Sequence, residues 1–85
     1  MRVVVAEDTM LTREGIVRLL GDVGVEVVAQ VEDAEALLRE VRLERPDVAI
    51  VDAAMPVMNG IEAVPQIVRG APETAIVIYL SLIHI

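Results

Sequence analysis

The apolar positions of this 85-residue chain alternate between two rhythms. Val3 to Ala6 is a short continuous run rich in β-branched residues and closed by Glu7-Asp8, the pattern of a strand buried on both faces. Ile16, Leu19, Leu20 and Val23 then fall at i, i+3, i+4 and i+7, which is helical spacing. Gly21 and Gly24 bracket the expected end of that helix, and Val25 to Val28 predict a second strand, interrupted by Glu26. Asp33 is placed to cap a helix with apolar face Ala34, Leu37, Leu38 and Val41, which Pro46 terminates.

Val48 to Val51 predict a third strand, directly followed by Asp52. Asn59 and Glu62 have capping-box spacing for a helix carrying Ile61, Val64 and Val68. Pro65 lies inside it and predicts a kinked or shortened helix, because an interior proline costs about 3 kcal/mol. After a turn at Ala71-Pro72, Thr74 to Tyr79 form a fourth strand. Strands alternating with helices of this length imply βαβ crossovers, hence an α/β open parallel sheet with helices on both faces.

Composition narrows the function. The single aromatic residue is Tyr79 and 55% of residues are hydrophobic, so the core is aliphatic. Seven basic residues, all Arg, oppose fourteen acidic ones for a net charge of −7. That balance excludes a phosphate-backbone interface on this segment, so no direct nucleic acid contact is expected. With no cysteine there is no disulfide framework or thiolate metal site. The opening MRVVVAEDT is too short for a signal-peptide core or a membrane span. No membrane association is expected, and a cytoplasmic chain is.

In open α/β sheets ligands bind outside the carboxyl ends of the strands, where the strand order reverses. Glu7 and Asp8 directly follow the first strand and Asp52 directly follows the third. If these strands are neighbours, the carboxylates converge on one crevice. They would repel one another there unless a cation lies between them. Mg²⁺ suits such an all-oxygen site, leaves it with a charge of about −1, and would let Asp52 attack a phosphoryl group. Each acid alone reads as well as loop solvation or a helix cap. The Met55-Pro56 and Asn59-Gly60 pairs are ordinary turn chemistry by themselves. His84, the only histidine, has no nearby partner in the sequence, and the Arg residues of the second helix read as a solvated face.

Taken together, "VVVAED", "VAIVD", "MPVMNG" and "APETAIVI" resemble a response regulator receiver domain, the phospho-accepting module of two-component signalling. "REGIVRLL" resembles the subfamily with a LuxR-type helix-turn-helix output domain. The resemblance implies a flavodoxin-like receiver fold, here incomplete, with four strands and three helices and the fifth strand missing. It implies a signalling module rather than an enzyme, phosphorylated on Asp52 by a sensor histidine kinase and able to pair with a second receiver. Glu7 and Asp8 would hold Mg²⁺ together with Asp52 and the backbone carbonyl of Ala54, Asp8 more directly and Glu7 partly through water.

Glu7 stands where aspartate is commoner, and the chain has no lysine for the phosphoryl-contacting position. Ser81 lies near the switch Ser/Thr position, one residue late counted from Thr74. Residues 1–79 are expected to form a partial receiver. Residues 80–85 read as a tail outside the family pattern, like translated adapter sequence, or alternatively as an extension of the fourth strand. Other readings remain open: a haloacid-dehalogenase-like phosphotransferase, disfavoured because Ala54 replaces the second acid; a flavodoxin-like binding module, disfavoured by the acidic "EDTMLTREG" loop; and a truncated product without function.

Overall fold

The computed structural model describes residues 1–55 and 60–80. Its elements run β1 (Arg2–Ala6), α1 (Met10–Asp22), β2 (Glu26–Val31), α2 (Ala34–Glu44), β3 (Val48–Asp52), α3 (Gly60–Gly70) and β4 (Ala75–Tyr79). The strands form one parallel sheet in the order β2-β1-β3-β4. The strand order therefore reverses between β1 and β3, the neighbours whose carboxyl ends carry the acids.

Because side chains alternate across a strand, the sheet has two distinct faces. Val4, Ala6, Ala49 and Val51 point to one and are buried in a cluster with Ala34, Leu37 and Val41 of α2 and Ala63 and Ile67 of α3. Val3 and Val5 are equally buried and point to the other, where α1 packs along β1 and β2. Farther along that face cover thins: Ile50 is half-buried and Val77 is 50% exposed.

The ends of the helices follow from their residues. The Asp33 carboxylate accepts a hydrogen bond from Ala36 N–H at 2.8 Å, capping α2 as expected. At the other end of α2 Arg45 adopts the left-handed conformation, φ 43°, with Pro46 next. α1 ends in a Schellman motif. Val25 N–H donates to Leu20 C=O, Gly24 N–H donates to Gly21 C=O, and Gly24 takes φ 82°. Glycine tolerates that conformation without the Cβ penalty other residues meet.

Several expectations need correction. β2 begins one residue later than predicted and extends to Val31, because Glu26 pairs with Arg2 as an edge-strand residue whose side chain faces solvent. Ile16 and Leu20 of α1 are half-buried, but Leu19 and Val23 are 68% and 75% exposed. The helix contacts the sheet along a stripe narrower than its apolar face. Pro65 does not shorten α3, which runs on to Gly70. α3 buries Ala63 and Ile67 rather than Val64 and Val68. Asn59 of the expected capping box, Ser81, His84 and most of the tail lie outside the described residues. Among the described residues no helix is long and apolar enough to cross a membrane.

Candidate functional site

Strand register builds the site. Ala6 pairs with Val51 and Asp52 with Tyr79. One residue past Ala6, Glu7 continues the edge, its N–H donating to Val31 C=O at 3.0 Å. Alternation then puts Glu7, Asp52 and Tyr79 in one row across β1, β3 and β4, on the face that also carries Val3 and Val5. Asp8 follows at the start of the β1–α1 loop. One carboxylate oxygen from each of Glu7, Asp8 and Asp52 lies within 4.8 Å of the others. The acids that the sequence placed at separate strand ends thus meet at the strand-order reversal.

Glu7 and Asp52 are fully buried, and Asp8 is half-exposed. Asp52 Oδ1 accepts a hydrogen bond from Ala54 N–H at 3.0 Å, a local turn that fixes the carboxyl group against its own loop. Ala53 N–H donates to Tyr79 C=O at 2.7 Å, tying the same loop to the end of β4. Glu7 Oε2 accepts from Thr9 N–H at 2.9 Å, and Oε1 accepts from the Tyr79 hydroxyl at 2.5 Å. Arg13 of α1 donates to the Glu7 backbone carbonyl at 2.8 Å and reaches Glu32 at 3.3 Å. The loop after β1 is therefore held from α1 and from β2.

Burial raises the Glu7 carboxyl above its ordinary range; the Tyr79 and Thr9 hydrogen bonds oppose this, and Asp8 and the charge of Asp52 add to it. Tyr79 is likewise raised, by burial first and then by its bond to Glu7 and the surrounding negative charge. The phenol therefore stays protonated and acts as donor. In its electrostatics the site is a place short of positive charge. Its donors are all carboxylate oxygens, the hard set that Mg²⁺ takes, so the residues fit that ion.

The sequence reading found Glu7, Asp8 and Asp52, which the fold brings together. Ala54 is adjacent through its N–H bond to Asp52. Tyr79 was missed, although it is the chain's only aromatic residue and stands in register with Asp52.

Comparison with known proteins agrees with this geometry. Residues 3–82 match the model of the response regulator receiver domain, and the chain belongs to that family. It is 42% identical over 78 residues to a protein-glutamate methylesterase/protein-glutamine glutaminase of Haloarcula marismortui, covering 92% of this chain and 21% of that protein. It is 38% identical over 78 residues to the response regulator GacA of Pseudomonas viridiflava, covering 91% of this chain and 36% of that one. The chain thus spans about a fifth to a third of these relatives. The signal receiver domain of the Mycobacterium tuberculosis response regulator NarL superposes with a TM-score of 0.84 at 39% identity, over 91% of this chain and 63% of that structure.

Proposed function

We propose that this chain is the phospho-accepting receiver of a two-component response regulator, with Asp52 as acceptor and a sensor histidine kinase as donor. The observation that carries the reading is the meeting of Glu7, Asp8 and Asp52 within 4.8 Å at the β1/β3 reversal of a receiver-family sheet. Glu7, Asp8 and Asp52, with the Ala54 backbone carbonyl, would hold Mg²⁺. When bound, that ion neutralises charge on the phosphoryl oxygens and on the carboxylates around them.

The chain's own contribution is position. Asp52 closes β3, and the Ala54 amide orients its carboxyl group. In the transfer, a bond forms between a carboxylate oxygen of Asp52 and the phosphorus. The P–N bond to the donor imidazole breaks, and its electron pair stays on the ring nitrogen, which is then protonated. The product is an acyl phosphate on Asp52. The three acids carry like charge, so an anionic donor approaches them only with its charge matched by a cation. Such a reading places the domain in the cytoplasm and gives this acidic segment no direct role in holding nucleic acid.

Incubation with acetyl phosphate, followed by intact-mass spectrometry, tests the proposal. A single phosphoryl adduct that requires Mg²⁺ and is absent in Asp52→Ala is expected. No adduct on a chain that circular dichroism shows to be folded would contradict it.

A further inference from the structure

The Tyr79 hydroxyl crosses β3 to reach Glu7, one residue past β1. Strands lie about 4.8 Å apart, so this contact spans roughly two strand spacings, and Asp52 belongs to the same row. Oε1 is held by the phenol and Oε2 by the Thr9 amide, with the Asp8 side chain a further hydrogen-bonding neighbour of the group. A carboxylate has about four lone-pair positions, so these two bonds set its plane and leave capacity for a cation or its water. Glu7 is the longer acid at this site, with one more rotatable bond than aspartate, and gains more from being held.

Resting on the metal-site reading above, we propose that Tyr79 is a positioning residue for divalent-cation binding, orienting Glu7 through its hydroxyl and coupling the end of β4 to the metal site. Removal of the hydroxyl leaves Glu7 Oε1 without its phenol donor. The carboxylate is then less restrained, and a ligand that must be ordered on binding holds a cation more weakly. Outer hydrogen bonds to metal ligands are typically worth ten- to a hundredfold in affinity, so a loss of about tenfold is expected for Tyr79→Phe.

Tyr79 also supplies its own probe, because the chain contains no Trp and no other Tyr. Mg²⁺ titration of the wild-type chain, followed in parallel by calorimetry and by tyrosine emission, should give one saturable transition with a common midpoint. In Tyr79→Phe the calorimetric Kd should rise about tenfold. A Tyr79→Phe Kd within twofold of wild type, or wild-type emission that ignores Mg²⁺ while heat is released, would overturn the role of Tyr79 and leave the metal site standing. Absence of Mg²⁺ binding by wild type in both measurements would overturn the metal-site reading and this one with it. The emission arm uses wild-type protein and decides the matter even if Tyr79→Phe fails to fold.

Discussion

The two faces of the sheet are packed differently in this chain. On one, Val4, Ala6, Ala49 and Val51 meet α2 and α3 in an aliphatic layer in which Leu37 is 0% and Ile67 1% exposed. On the other, α1 buries none of its residues fully, cover thins from Val5 to Val77, and the carboxyl edge ends in Glu7, Asp52 and Tyr79. The buried aliphatic contacts are concentrated on the first face. The candidate site lies at the carboxyl edge of the thinner face, where two fully buried acids are held near each other.

The largest difference should come from matched truncations on the two sides. Leu37→Ala, in the closed layer, should lower the unfolding free energy by about 2–5 kcal/mol in urea denaturation, whereas Leu19→Ala on α1 should change it by no more than about 0.5 kcal/mol. Equal effects would erase the contrast between the faces.

Ligation should reverse the weakness of the acidic row. At a Mg²⁺ concentration about a hundredfold above Kd, the midpoint of thermal or urea unfolding should rise by the equivalent of about 2.7 kcal/mol. Without metal, Asp52→Asn should itself stabilise the chain by about 1 kcal/mol, because it removes one of three like charges that lie close together. The same substitution should abolish the Mg²⁺-dependent gain. A destabilised Asp52→Asn chain in chelator would place Asp52 among the supports of the fold instead.

A smaller effect comes from pH. In the folded, metal-free state the Glu7 carboxyl is raised above its ordinary value of 4.5, so the folded chain holds this proton more tightly than the unfolded one. Its linkage therefore lowers stability as pH rises from 4.5 through the raised folded-state value. In chelator, Glu7→Gln should flatten that portion of the stability profile, measured by urea unfolding at successive pH values. The smallest effect belongs to the rim: Glu73, 3.8 Å from Arg45 in an exposed pair, should be replaceable by Gln with a change below about 1 kcal/mol.

How far the sequence revealed this arrangement depended on the element. β1, β3 and α2 were legible because each carries an unambiguous signal, a continuous β-branched run or a capped, amphipathic helix. The acids of the site followed from the strand ends, but their meeting did not, since only the fold sets β1 beside β3. α1 was legible as a helix but not in its packing: periodicity tells which residues share a stripe, while the width covered depends on what lies against it. α3 is apolar on several sides, so Val64 and Val68 matched the helical template as well as Ala63 and Ile67 did. β2 was misjudged at its ends because an edge strand tolerates Glu26 and Gln30 facing water. The Tyr79 to Glu7 bridge spans 72 positions in sequence and arises only once β4 is set beside β3.

Asp52, of all the acids in the cluster, is the one proposed to become the acyl phosphate. Treatment of the acetyl-phosphate-reacted chain with borohydride reduces an acyl phosphate to the alcohol, and peptide mass spectrometry then locates it. Homoserine at position 52 alone, formed only when Mg²⁺ was present, is expected. Reduction at Glu7 or Asp8, or none in a folded chain saturated with Mg²⁺, would contradict it.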